Sequence, residues 1–177
     1  MAAPQLKPAE ILATLAEHRV DFVVIGGLAA IMHGSPTITS DVDVCPDSAP
    51  ANLDRLAAAL RDMGARIRTS SDPDGFAFSS DGQFLARMKM VNLVTEFGHF
   101  DISFEPAGLR SYADIESRAV EMPVAGVAVK VAALEDVIHS KELANRPKDH
   151  ATLPVLRALA DEIAARESQS KRPKEKS

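Results

Sequence analysis

The feature that most constrains this chain is a pair of aspartates, Asp41 and Asp43, separated by the apolar residue Val42. Side chains two residues apart on a strand project from the same face, so both carboxylates can converge on one point. Val42 and Val44 would then point the opposite way, into a core. The pattern predicts a strand that offers two oxygen ligands to a hard cation, with a solvated turn as the alternative.

A short apolar run and a glycine pair precede these acids. Residues 23–25 are typical of a buried strand, which ends at Gly26 and Gly27. Glycine lets a backbone approach a ligand closely, although a glycine pair after a strand is also common in simple tight turns. Residues 28–33 predict a short helix. The start of a helix attracts anions, which suits a nucleoside triphosphate.

A third acid, Asp101, lies in a segment that alternates apolar and polar residues. Phe100, Ile102 and Phe104 alternate with Asp101 and Ser103, as in a half-buried strand. This strand could deliver Asp101 beside the first two acids.

The order of these residues resembles the nucleotidyltransferases with the DNA-polymerase-beta-like catalytic fold. The residues that carry the resemblance are Gly26, Gly27, Asp41, Asp43 and Asp101. Residues 95–101 and 141–149 are most similar to the AbiEii/AbiGii-type toxin branch of that superfamily. The family often has serine where Gly27 stands and arginine near Thr37. The resemblance implies an α+β fold, with a mixed, mostly antiparallel sheet flanked by helices and a C-terminal helical segment.

The resemblance also implies a metal-dependent mechanism. Asp41, Asp43 and Asp101 are the expected catalytic and metal-binding residues, with Asp41 and Asp43 holding two Mg²⁺ ions and Asp101 completing the ion nearer the attacking hydroxyl. An acid triad without histidine or cysteine offers the oxygen ligands that magnesium prefers. Asp101 is in addition a candidate proton acceptor.

A second set of residues is expected to bind the nucleoside triphosphate. Its members are Gly26, Gly27, Thr39, Ser40, Lys141, Arg146, Lys148 and Asp149. Thr39 or Ser40 could donate a hydroxyl to a phosphate, although both also simply favour strands and turns. Lys141 lies at the edge of an apolar helix stripe, where snorkelling is the alternative role. Asp149 is expected to cap a helix or to fix a basic neighbour.

The acceptor is predicted by resemblance alone. The toxin branch implies an RNA, most plausibly the 3′ end of tRNA, with a cognate antitoxin as regulator. Nucleotidylation of an antibiotic or a protein fits the same acids. A protein that binds nucleotide without turnover, or an antitoxin-like partner subunit, is the alternative from a different class.

Composition sets further limits. The 177 residues are 46% hydrophobic and 25% charged, which is enough for one proper core. We expect a catalytic core at 1–133, a helical part of the same domain at 134–166 and a disordered basic tail at 167–177. The net charge of −5 argues against nonspecific coating of nucleic acid. No long apolar run or signal-peptide core is present, so a cytoplasmic protein without membrane contact is predicted.

Several local predictions concern packing and turns. Cys45 is predicted to be a small buried hydrophobe rather than a nucleophile. Residues 76–79 and 84–88 are predicted to form short strands or a hairpin around Asp81-Gly82, and Met88 and Met90 to fill the core. Three arginines are interpreted mainly as solvated surface, with contact to phosphates as the alternative, namely Arg61, Arg66 and Arg68.

Overall fold

The computed structural model describes residues 4–109 and 111–170, which form one sheet flanked by helices. The strands are β1 (Phe22–Ile25), β2 (Asp41–Pro46), β3 (Arg66–Ile67), β4 (Met90–Thr95), β5 (Gly98–Ser103), β6 (Val120–Val124) and β7 (Val127–Val131). The helices are α1 (Pro8–Glu17), α2 (Gly26–Met32), α3 (Pro50–Asp62), α4 (Gly82–Leu85), α5 (Tyr112–Glu116), α6 (Leu134–Ala144) and α7 (Pro147–Ser170).

The seven strands lie in the order β3-β4-β5-β2-β1-β7-β6. The pairs β1–β7 and β2–β5 are parallel, and the other neighbouring pairs are antiparallel. The predicted fold class, α+β with a mixed, mostly antiparallel sheet and a C-terminal helical segment, is confirmed.

The core follows from the alternation of side chains along β2 and β5. Val42, Val44, Phe100 and Ile102 are fully buried, whereas the acids between them are only partly buried. Helices α1 and α3 add leucines and isoleucine to the same apolar cluster. One face of β2 and β5 therefore packs in the core, and the opposite face carries the polar side chains.

Cys45 lies in the core as predicted. Its side chain has no exposed surface, and burial raises the pKa of its thiol to about 12. A thiol with so high a pKa is a poor nucleophile at neutral pH.

The predicted hairpin around Asp81-Gly82 is wrong. Residues 82–85 form α4, and the Asp81 side chain accepts a hydrogen bond of 2.7 Å from the Phe84 backbone N–H. Aspartate before glycine is typical of hairpin turns, but it is also a good helix cap, and the cap prevails here. Phe76 makes a single bridge with Ile67 instead of a strand.

Two other predictions need correction. Met90 is 60% exposed rather than a core residue, although Met88 does pack against the core. Helix α7 continues to Ser170, so residues 167–170 of the predicted disordered tail are helical. An ion pair between Arg166 and Glu162, one turn apart, supports this last stretch. Residues 171–177 of the predicted tail lie outside the described residues.

The last two helices pack onto the same core as the sheet. Val137 of α6 and Leu156 of α7 are both buried in its apolar cluster. No helix within the described ranges combines the length and the apolar character needed to cross a membrane.

Candidate active site

The three acids meet on the polar face of two adjacent strands. Because β2 and β5 are parallel neighbours in register, Asp43 lies directly beside Asp101. Paired strands run roughly 4.8 Å apart, and Asp41 is two residues earlier on the same face of β2. The sheet thus brings together three carboxylates that are far apart in the sequence.

The electrostatics at Asp43 are unfavourable for a bare carboxylate. Burial raises the pKa of Asp43 to about 7, and the negative charges of Asp41 and Asp101 raise it as well, against a smaller lowering by Lys148 and Arg146. A set of crowded carboxylate oxygens short of positive charge fits a hard divalent cation. Among the described residues, no three acidic, histidine or cysteine side chains are already arranged around a single ion.

The glycine pair permits close approach to these acids. Gly26 has φ +66°, and a Cβ placed on it would lie 2.4 Å from Oδ2 of Asp43. A Cβ on Gly27 would lie 2.7 Å from Oγ1 of Thr39. Thr39 in turn donates a hydrogen bond of 3.0 Å to Oδ1 of Asp41. The start of α2 therefore fits closely against Asp43 and against the threonine that orients Asp41.

A group of three cations, which we call the cation wall, comes from α6, from the turn after α6 and from the start of α7. Lys141, Arg146 and Lys148 all contribute to the cavity surface. Asp149 has no exposed side-chain surface and lies behind them, accepting hydrogen bonds from Nζ of Lys141 (3.3 Å) and Nε of Arg146 (2.8 Å). Burial raises the pKa of Asp149, but the hydrogen bonds from Arg146 and Lys141 outweigh it and lower the pKa below its usual value. Asp149 thus fixes two basic neighbours and does not itself face the cavity.

We expect Asp149→Asn to destabilise the protein by about 3 kcal/mol at neutral pH, because a buried ion-pair partner is removed. The same change should raise the KM for a nucleoside triphosphate, since Lys141 and Arg146 lose their anchor. Urea unfolding and steady-state kinetics measure the two effects. Glu142→Gln removes an exposed partner of Arg157 and is the matched control. Equal stability of the two variants would contradict the role given to Asp149.

Arg68 is a site residue that the sequence did not reveal. Its Nη2 donates to both carboxylate oxygens of Asp101 at 2.7 Å, and its Nε donates to the Leu93 backbone oxygen at 3.1 Å. Burial raises the pKa of Asp101, and Arg68 opposes that rise. Arg61 and Arg66 instead donate to the backbone oxygens of Ser80 and Asp74. The arginines interpreted as one surface cluster therefore have separate roles.

Arg68→Gln is expected to lower kcat by about 10- to 100-fold, because Asp101 loses the partner that orients it. The KM for the nucleoside triphosphate should change little, since Arg68 contacts Asp101 and not the cation wall. Arg66→Gln is the control, because Arg66 lies close by on β3 and pairs with no carboxylate of the site. An equal loss in both variants, or a loss confined to KM, would contradict the positioning role.

The acids and the cation wall enclose one cavity of about 440 Å³, within the size range of small-ligand sites. The predicted site residues that line it are Gly26, Gly27, Thr39, Ser40, Asp41, Asp43, Asp101, Lys141, Arg146 and Lys148. The cavity also includes residues that no motif indicated, among them Met90, Asn92, Ser103, Pro106 and Ala107.

Comparison with known proteins gives a family match over most of the chain. Residues 9–163 match a family described as "Nucleotidyltransferase of unknown function (DUF6036)". No curated protein sequence matches the chain.

Solved structures with a similar fold include two antibiotic-modifying enzymes. The lincosamide antibiotic adenylyltransferase LnuA, solved with lincomycin bound, is 15% identical with a TM-score of 0.58, over 88% of this chain and 99% of that chain. ANT(2″)-Ia, solved in complex with adenylyl-2″-tobramycin, is 16% identical with a TM-score of 0.53, over 90% of this chain and 89% of that chain. At these identities the likeness shows a shared fold.

Proposed function

We propose, because this chain belongs to the nucleotidyltransferase family DUF6036, that it transfers a nucleoside monophosphate from a nucleoside triphosphate to an acceptor hydroxyl in the presence of Mg²⁺. The observation that carries the proposal is the pairing of Asp43 with Asp101 across β2 and β5, with Asp41 on the same face. The cation wall next to these acids supplies the complementary charge for a triphosphate.

The acids are proposed as the ligands of the metal. Asp41, Asp43 and Asp101 would together hold two Mg²⁺ ions. When bound, Mg²⁺ supplies positive charge that stabilises the triphosphate and the departing pyrophosphate. Thr39 keeps the Asp41 carboxylate oriented through its hydrogen bond.

The remaining roles belong to the protein's own side chains. Lys141, Arg146 and Lys148 bind the triphosphate and hold it in line with the acceptor, since phosphoryl transfer depends on positioning and on charge stabilisation. Asp101 accepts the proton of the acceptor hydroxyl. The acceptor oxygen forms a bond to the α phosphorus, and the bond from that phosphorus to the β-phosphate oxygen breaks with its electron pair leaving on pyrophosphate.

Two acceptor classes have support of different kinds. The resemblance of residues 95–101 and 141–149 to the toxin branch favours RNA, with a tRNA 3′ end as target and an antitoxin as partner. The similar structures with lincomycin and adenylyl-tobramycin favour a small molecule that carries hydroxyl groups. In either case the donor half of the reaction uses the same acids and cations.

The test is incorporation of label from each of the four α-labelled nucleoside triphosphates. Separate reactions contain total RNA, a panel of hydroxyl-bearing small molecules, or no acceptor, each with Mg²⁺ or with EDTA. We expect Mg²⁺-dependent labelling of a discrete product and release of pyrophosphate. Tight binding of a nucleoside triphosphate with no product in any mixture would overturn transfer and favour the non-catalytic nucleotide-binding protein.

A further inference from the structure

The cavity extends past Asp101 along the open face of β4 and β5. Strand register places Asn92 directly opposite Asp101, and Met90 directly opposite Ser103. Residues opposite each other on antiparallel strands have Cβ atoms about 5 Å apart. Asn92, Met90 and Ser103 therefore surround the side of Asp101 that faces away from Asp43, and all three line the cavity.

This part of the cavity differs chemically from the cation wall. Met90 is 60% exposed, and the chain just after β5 adds the apolar residues Pro106 and Ala107. Asn92 and Ser103 are polar but uncharged. Among the described residues that line the cavity between 90 and 109, none is lysine, arginine or histidine.

The positive charges near this surface are each paired with a carboxylate. Arg68 donates to both oxygens of Asp101, and Lys89 forms an ion pair of 2.9 Å with Glu105. Lys141 lies on α6, which packs against α2, and Gly26 at the start of α2 lies against Asp43. The triphosphate-binding charge therefore acts on the Asp43 side of the acid row, away from Asn92 and Met90.

Ligand cavities are typically lined by apolar side chains together with a few polar groups, and this part of the cavity has that combination. Covering the exposed part of Met90 with an apolar group is favourable, and its flexible thioether adapts to varied shapes. Asn92 can both donate and accept hydrogen bonds, and the Ser103 hydroxyl can do the same. Together they suit a molecule with hydroxyl groups on one edge and an apolar group on another.

We propose that Met90, Asn92, Ser103, Pro106 and Ala107 form the acceptor subsite, and that it takes a small, phosphate-free hydroxyl compound that carries an apolar group. The inference rests on the proposed function, because the acceptor hydroxyl must lie beside Asp101 to give up its proton and attack the α phosphorus. A polynucleotide acceptor would place phosphates on this surface, where the lining residues offer no positive charge to neutralise them.

The experiment uses the full chain with ¹³C-labelled methionine methyl groups. The chain has six methionines, and the signal lost in Met90→Gln identifies Met90. Hexyl β-D-glucoside, methyl β-D-glucoside and a short single-stranded RNA are titrated in turn, with Mg²⁺ and a non-hydrolysable nucleoside triphosphate present. Calorimetry measures nucleotide binding separately.

We expect hexyl β-D-glucoside to shift the Met90 methyl signal saturably, methyl β-D-glucoside to bind at least about fivefold more weakly, and the RNA to leave the signal unchanged. Calorimetry measures binding of the hexyl glucoside to the Met90→Gln and Asn92→Ala variants. Each variant should bind the glucoside more weakly and keep its affinity for the nucleotide. Val120→Thr is the control. Val120 lies on a strand outside the cavity and is 45% exposed, so this change should leave both affinities unchanged.

The outcomes distinguish failure of the subsite proposal from failure of the proposed function. If the nucleotide binds and the RNA shifts the Met90 signal while the hexyl glucoside does not, the subsite proposal is wrong and the RNA acceptor is favoured. If the nucleotide binds and no probe shifts that signal, or if Met90→Gln binds the glucoside as well as the natural sequence does, the subsite proposal is also wrong. Absence of nucleotide binding would instead overturn the proposed function.

Discussion

Asp43→Asn is expected to abolish nucleotidyl transfer and, at the same time, to make the metal-free protein more stable at pH 8. The loss of transfer should be at least about a hundredfold, because the central carboxylate of the acid row is removed. The gain in stability follows from the raised pKa of Asp43, about 7 in the folded chain against an ordinary value of 3.8. Ionising this buried carboxyl opposes folding, and an amide cannot ionise.

The direction of the pH effect is fixed by proton binding. Between pH 3.8 and about 7 the folded chain holds a proton on Asp43 that the unfolded chain has released. Stability without metal therefore falls as pH rises through this window, by up to about 4 kcal/mol, and stays low above it. The affinity for Mg²⁺ should rise over the same window, because the carboxyl must lose its proton before it can bind the ion.

Chemical denaturation in EDTA at pH 5 and at pH 8, together with Mg²⁺ titrations, measures these effects. The protein with the natural sequence should lose stability between the two pH values, and the Asp43→Asn variant should lose much less. Asp62→Asn, which changes an acid that is 65% exposed and outside the cavity, is the control. The same pH dependence in Asp43→Asn as in the natural sequence would show that Asp43 is not the group that titrates.

Gly26→Ala is expected to reduce transfer by about a hundredfold or more, although it adds a single methyl group. That methyl would lie 2.4 Å from Oδ2 of Asp43, so the carboxylate or the start of α2 must move. A displacement of about 1 Å at a reacting centre is enough for a loss of this size. The positive φ of +66° adds a separate backbone strain of about 1 kcal/mol.

Gly64→Ala separates the effect of backbone strain from the effect of the contact with Asp43. Gly64 has a similar φ of +59°, but a Cβ placed on it meets nothing within 4 Å. This variant should lose about 1 kcal/mol of stability and keep full activity. Unfolding curves and transfer rates for both variants are the measurement, and equal activity of the two would mean that the contact between Gly26 and Asp43 is unimportant.

The sequence predicted the parts of the fold that depend on local pattern. Alternation around Asp43 and around Asp101 gave two strands with the acids on one face, and the strand register then brought them together. Residues 82–85 were predicted wrongly because aspartate followed by glycine is compatible with a turn and with a helix cap. The distinction depends on whether a partner strand is available, and that is a property of the whole sheet.

Arg68 and Met90 mark the limit of what the sequence could predict about the site. Arg68 reaches Asp101 from the position just after β3, and no spacing in the chain signals that contact. Met90 is predicted to be a core residue because it is apolar and lies on a strand, yet it is 60% exposed and lines the cavity. Both residues take their roles from tertiary neighbours, which local pattern does not encode.

The parallel pairing of β2 with β5 has a consequence for biogenesis. Asp41 and Asp43 emerge early during translation, but the chain must add α3, β3, α4 and β4 before Asp101 can join them. A nascent polypeptide that has not yet reached β5 therefore has an incomplete set of acids, because Asp101 is still missing. Turnover during refolding should accordingly require the native pairing of β2 with β5.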